Sequence, residues 1–296
     1  MFSYKNIELS DRKWIDSLLL MSEYQGAEYC FTTLYIWANL YNSLIARYND
    51  MLIVRSESPN ELFYSVPAGH FSEKELAYFF DNIRKEGASM SKKVTITGIT
   101  EDTLPMIQAF LHEEPTPDRN SFDYIYLSDD LISLKGKKYQ PKRNHIKHFL
   151  SQYEWIYEDV TPENVEECYL MNEQWCKENY CIHNLSKQSE ACATRRALRN
   201  FESLNLKGGL IRVAGEIVAF TLGEKLNSNT FLIHVEKAFA RIDGAYPMIN
   251  RKFIKAQAST YKYVNREDDA GDDGLRQAKL SYNPVYLIEK KYISLD

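Results

Sequence analysis

The sequence predicts an α/β protein of two tandem units, each with a mixed central sheet, and three observations support that expectation. The chain has 296 residues, long for one hydrophobic core and comfortable for two. Its hydrophobic fraction of 44% and charged fraction of 26% are those of a folded chain rather than a disordered one. Most directly, one order of helical and extended periodicities can be read twice along it.

The second half shows that order more clearly. A short strand at Tyr153–Tyr157 precedes Thr161-Pro162-Glu163, which has the chemistry of a helix start: a hydroxyl cap, proline at the first position and an acid in the first turn. Helical spacing of Val165, Cys168, Tyr169 and Asn172 follows, then a second helix from about Ser189 to Leu204 that stops at Gly208-Gly209. Three strands come next, Leu210–Val213, Ile217–Leu226 and Thr230–Lys237, separated by polar or glycine-bearing turns. A helix from Tyr246 to about Ser259, a strand Tyr261–Asn265, a helix Gly274–Leu280 and a strand Val285–Ile293 complete the half. This β-α-α-β-β-β-α-β-α-β order is that of a GNAT acyltransferase domain. The first half repeats it without the first strand. Helices begin at Ser10 and about Phe31, and Leu44–Arg47 and Met51–Arg55 flank an Asn49-Asp50 turn. Strand Leu62–Val66, helix Ser72–Arg84, strand Val94–Thr97, helix Glu101–Leu111 and strand Phe122–Tyr126 follow. The expected domains are 1–130 and 131–296, the first a degenerate copy that shapes the cleft and the second the carrier of the site.

Composition narrows the function classes. A net charge of −5 and a pI near 5.8 argue against a whole-surface polyanion binder and leave room for local basic patches. The charged start, with Lys5, Glu8, Asp11, Arg12 and Lys13, has no apolar core of a signal peptide. No apolar stretch approaches the roughly 20 residues needed to span a bilayer. Five cysteines without a CxxC pair read as reduced thiols, and a cytoplasmic location is the expectation. No G-x-S-x-G elbow, Walker A loop or H-E-x-x-H motif is present, so hydrolase, NTPase and zincin readings have no support. Cys176, Cys181, His183 and Cys192 match no zinc-ligand spacing, and no metal is expected.

Three segments carry candidate chemistry. In the run from Lys135 to Lys147, the residues Lys137, Lys138, Arg143, Asn144 and His145 lie beside a helix start at Pro141. Cations at such a place suit a phosphate or nucleic acid, and a solvated basic connector is the plainer reading. The segment Phe231–Met248 places His234 and Glu236 on one face of a strand by simple alternation, either of them a general base for an amine or hydroxyl. Its Arg241-Ile242-Asp243-Gly244-Ala245-Tyr246 loop occupies the position of the GNAT pyrophosphate loop and keeps Arg241 and Gly244. It also adds Asp243 where a pyrophosphate would lie, and Pro247 removes an N–H donor. The segment Asn265–Pro284 crowds Glu267, Asp268, Asp269, Asp272 and Asp273 into a loop past a strand end, followed by Arg276, Lys279 and Tyr282. Loops past strand ends are where open α/β sheets bind ligands. The carboxylates suit an ammonium, and Arg276 with Lys279 suits a phosphate or oxyanion. Capping by Asp272 or Asp273 is the plainer reading, and the acidic spacing does not fit an EF-hand.

These residues resemble the soluble bacterial relatives of the C-terminal catalytic domain of phosphatidylglycerol lysyltransferase. The resemblance rests on KGKKYQPKRNHIKHF (135–149), GGLIRVAGEIVAFTLGEKL (208–226), HVEKAFARIDGAYPMIN (234–250) and NREDDAGDDGLRQAKLSYNP (265–284). It implies a tandem GNAT-like fold shared with Fem aminoacyltransferases, whose members move an amino acid from aminoacyl-tRNA to a lipid or cell-wall precursor. The expected function is therefore acyl or aminoacyl transfer by direct attack, with Glu236 or Glu267 as base and Arg276 and Lys279 stabilising the oxyanion or donor phosphate. Lys137, Lys138, Arg143, Asn144, His145, His234, Arg241, Gly244, Asn265, Asp269 and Tyr282 are the expected binding residues. Aminoacyl-tRNA is the preferred donor. An acyl-CoA N-acetyltransferase and a non-catalytic module binding phosphate, nucleotide or lipid headgroup are the alternatives, and the basic run also suits contact with anionic lipid.

Overall fold

The computed structural model describes residues 1–183 and 185–295. The chain is a mixed α/β protein with two sheets, and its backbone forms two compact units, Met1–Asp123 with Ile288–Asp296, and Tyr124–Leu287.

In the first unit the sheet runs Lys5–Asn6, Leu44–Tyr48, Met51–Glu57, Glu61–Ser65, Lys93–Ile99, Lys291–Leu295 and Thr116–Pro117, with Ala68–Gly69 on the side of Met51–Glu57. The Asn49-Asp50 hairpin forms as expected, with Asn49 at φ +52°. Helix Glu73–Met90 packs Leu76, Phe79, Phe80 and Ile83 into a core with Ile53, Tyr64, Ile96 and Ile293. It is started by a capping box in which Ser72 and Glu75 exchange hydrogen bonds.

The expected strand Val285–Ile293 divides. Tyr286–Ile288 pairs in the second sheet, whereas Lys291–Leu295 pairs in the first with Lys93–Ile99. Lys290 sits at the break, its ammonium 2.9 Å from Asp123 and 2.6 Å from Glu28. A buried lysine must follow its carboxylates, and alternation of apolar residues cannot reveal that. The expected helix at Glu101–Leu111 shrinks to Leu104–Ile107 and one 3₁₀ turn.

The second unit is a sheet in the order Tyr286–Ile288, Asp123–Leu127, Tyr263–Asn265, Thr230–Ala238, Glu216–Lys225, Lys207–Val213 and Trp155–Asp159. Thr230–Ala238 and Tyr263–Asn265 are parallel, and the other central pairings are antiparallel. Helix Val165–Glu178 begins after Asn164, later than Thr161 suggested. The Asn164 side chain accepts from the Thr161 N–H at 2.8 Å, so a local turn displaces the cap. Helix Ala245–Phe253 ends in a π-turn, Ile254–Ala258, and buries Phe253 and Ile254 against Tyr124, Tyr126, Phe231 and Tyr282.

Candidate functional site

The strand Thr230–Ala238 organises the second unit's polar interior. Its register against Glu216–Lys225 steps from Leu222↔Val235 to Gly223↔Ile233, so the Cα pairing skips His234. This is a β-bulge, and it breaks the alternation that placed His234 and Glu236 on one face. Consecutive residues beyond it point oppositely: Glu236 meets Asn250 of helix Ala245–Phe253, while Lys237 meets Glu190 of helix Leu185–Arg199. The two helices therefore cover opposite faces of the sheet.

Glu236 is held by two donors. Arg266 Nη2 donates to its Oε1 at 2.9 Å and Asn250 Nδ2 to its Oε2 at 2.7 Å. The Arg266 guanidinium stacks on Tyr282 at 4.6 Å and near Tyr126 at 5.6 Å. The Lys142 ammonium lies 3.9 Å from the same Tyr282 ring centroid. Burial brings the Lys142 pKa down to about 8, and the Arg266 charge adds to the effect against the opposing pull of Glu236.

His234 forms a separate cluster. Its side chain is buried, with Nδ1 3.0 Å from Glu267 Oε1 and Nε2 3.1 Å from Glu224 Oε1. Glu267 occupies left-handed backbone space at φ +56° and is held there by Asn265, whose Oδ1 accepts its N–H at 2.7 Å. Adjacent Arg266 and Glu267 thus serve the two clusters, one each.

The acidic loop is largely self-contained. Asp269 is fully buried and accepts from Tyr124 at 2.5 Å, from the Gly271 N–H at 3.0 Å and from two Arg276 nitrogens at 2.9 Å each. Burial alone would raise its pKa, but the donors, Arg276 first, hold it well below the usual carboxylate range. Lys279 donates to the Arg266 carbonyl at 2.6 Å and to that of Asp268. Asp272 caps helix Asp273–Leu280 through the Leu275 N–H at 2.8 Å, as the plainer reading expected. The structure therefore places Arg276 and Lys279 in the building of the loop, and brings Tyr282 to Arg266 and Lys142.

The basic run lies on the 3₁₀ turn Lys137–Tyr139 and helix Gln140–Gln152. Lys137 and Asn144 are exposed, Lys138 is 3.5 Å from Asp130, and Arg143 donates to the carbonyls of Leu134 and Gly136. His145 and His148 approach Asp243 at 2.9 and 3.2 Å. That pairing fixes a carboxylate directly before helix Ala245–Phe253. Arg241 is turned to Glu178 at 2.9 and 3.0 Å and stacks on Phe239. Gly244, at φ +82°, lets the loop approach the preceding helix. A Cβ there would strike the His145 carbonyl and come 2.8 Å from Phe149 Cβ.

Asn250, Arg266, Lys142 and Glu224 were missed as site residues. Lys142 lay within the basic run, and Arg266 heads the acidic loop as its one cation before Arg276. Nothing in the local pattern singles out Asn250 or Glu224.

Sheet order, helix placement and the twofold pattern define a tandem GNAT-like fold. The chain belongs to the family described as phosphatidylglycerol lysyltransferase, C-terminal, whose pattern matches residues 21–294. A conserved protein of unknown function from Bacteroides thetaiotaomicron VPI-5482 is 39% identical, with a TM-score of 0.92 over 100% of both chains. The structure of L-PGS from Bacillus licheniformis superposes with a TM-score of 0.63 at 15% identity, covering 96% of this chain and 91% of that one, a likeness of fold. Uncharacterized protein MYCGA3080 of Mycoplasmoides gallisepticum is 27% identical over 181 residues, 59% of this chain and 56% of that protein. Among the described residues, no helix is long and apolar enough to cross a membrane.

Proposed function

We propose that the chain is an aminoacyltransferase in which an acceptor amine or hydroxyl directly attacks the ester carbonyl of an aminoacyl-tRNA. Glu236 takes the acceptor's proton as the new bond to the carbonyl carbon forms, the ester C–O bond breaks, and the proton passes to the departing ribose hydroxyl. Both Glu236 oxygens accept a hydrogen bond, and each retains a further lone pair for the acceptor. Glu267, tied to His234, is the second candidate base. Arg276 and Lys279 contribute by holding the loop that carries Arg266 and Glu267.

The observation that favours aminoacyl-tRNA over acyl-CoA is Asp243, pinned by His145 and His148 at the start of helix Ala245–Phe253. A coenzyme A pyrophosphate needs donors and positive potential at that helix end. Here a carboxylate supplies the negative charge instead, and Arg241 is spent on Glu178.

The test is deacylation of a mixture of charged tRNAs beside thiol release from acetyl-CoA, for the native chain and Glu236→Gln. Turnover from charged tRNA that falls about 100-fold in the variant is expected. Thiol release from acetyl-CoA alone would overturn the choice of donor, and undiminished turnover in Glu236→Gln would overturn the choice of base.

A further inference from the structure

Two polar atoms beside Glu236 are buried without a hydrogen-bond partner: Nη1 of Arg266, a donor, and Oδ1 of Asn250, an acceptor. Folded proteins leave few such atoms unmatched. The same two side chains clamp Glu236 through their other nitrogens, at 2.9 and 2.7 Å. A complementary ligand must therefore offer an acceptor to the guanidinium and a donor to the amide oxygen, both close to a carboxylate. Charge narrows its chemistry further. Arg266 and Lys142 both lie against Tyr282, at 4.6 and 3.9 Å, and the carboxylate that acts on both is Glu236. Two cations facing one anion leave a single positive charge to be balanced.

An anionic acceptor group and a neighbouring donor describe a free amino acid. We propose that Lys142, Asn250, Glu236 and Arg266 form a subsite for a free α-amino acid, its carboxylate on Arg266 and Lys142 and its amino group on Asn250 Oδ1 and Glu236. Its role as acceptor rests on the transferase reading above. The ester-linked donor has no free carboxylate, so a subsite selective for one takes the other substrate. The ammonium gives a proton to Glu236, the amine attacks the ester carbonyl, an amide bond forms as the ester bond breaks, and the leaving hydroxyl receives a proton.

The experiment is thermal shift and calorimetry on the full chain with the twenty free L-amino acids, then with the α-carboxamide and N-acetyl derivatives of the best binder. At least one amino acid at millimolar concentration is expected to raise the melting temperature by about 3 °C. Its two derivatives should bind at least about 10-fold more weakly. Lys142→Met, a change at a partly exposed position, should weaken the acid by a similar factor in a chain that still melts cooperatively. Absence of a shift with all twenty overturns the subsite, as does a Lys142→Met chain that binds the acid like wild type. A carboxamide that binds as tightly as the acid also overturns it, while leaving the transferase reading intact. Acid-selective binding without turnover from any charged tRNA upholds the subsite and sinks the transferase reading.

Discussion

The acidic loop and the Glu236 cluster use the same kinds of residue and differ in how fully their charges are matched. In the loop, Asp269 accepts from Tyr124, Gly271 and two nitrogens of Arg276, while Lys279 serves two carbonyls. On the strand, Arg266 and Asn250 each reach Glu236 and still leave one buried atom unmatched. The loop looks more like a site in the sequence because it holds five carboxylates. Its buried carboxylate is matched by donors within the loop and on Tyr124, whereas the strand cluster keeps bonding capacity that a ligand or water can meet.

Removing a partner from the matched cluster should cost most. Asp269→Asn removes the buried carboxylate from Arg276 and Tyr124, leaving the exposed Asp273 at 3.7 Å from Arg276, and is expected to lower stability by about 3 kcal/mol, read by urea unfolding. The folded state holds this carboxyl below its usual value. Its contribution is therefore complete above about pH 4 and lost as pH falls through the depressed pKa, so the gap between wild type and variant should narrow in acid. A smaller effect is expected on the strand. Asn250→Leu gives up one hydrogen bond to Glu236 and also removes an unmatched acceptor, so its cost should be near 1 kcal/mol. A cost equal to that of Asp269→Asn would erase the distinction between the two clusters. A third effect is one of pH dependence and concerns Lys142, whose folded pKa is near 8 against about 10.4 for an ordinary lysine. Between those values the unfolded chain binds more protons, so wild-type stability should rise with pH across that window. Lys142→Met should lack the rise, and parallel stability curves from pH 7 to 11 would show that Lys142 is not desolvated.

Much of the fold was legible because it follows from local rules. The Asn49-Asp50 hairpin, the capping of helix Glu73–Met90 by Ser72 and the helix start at Pro141 depend on residues within a few positions of one another. The site was legible in part. Glu236, Glu267, His234 and Tyr282 were named from residue type and position, but their grouping was not, because the bulge at His234 shifts the alternation by one residue. Asn250 and Arg266 meet Glu236 across separations of 14 and 30 residues, beyond any periodic signal.

By itself, the sequence determined the twofold α/β order, the family, the presence of Asp243 just ahead of the helix at Ala245, and the segments where charge gathers. These are properties of neighbouring residues and of hydrophobic period. Only the tertiary structure decided that the C-terminal strand Lys291–Leu295 joins the first unit's sheet, that Arg276 and Lys279 are committed to the loop, and that Glu236 lies among Arg266, Asn250 and the Lys142–Tyr282 pair. The reason is physical: a buried charge is satisfied by whatever partner the fold brings within about 3 Å, wherever that partner stands in the chain.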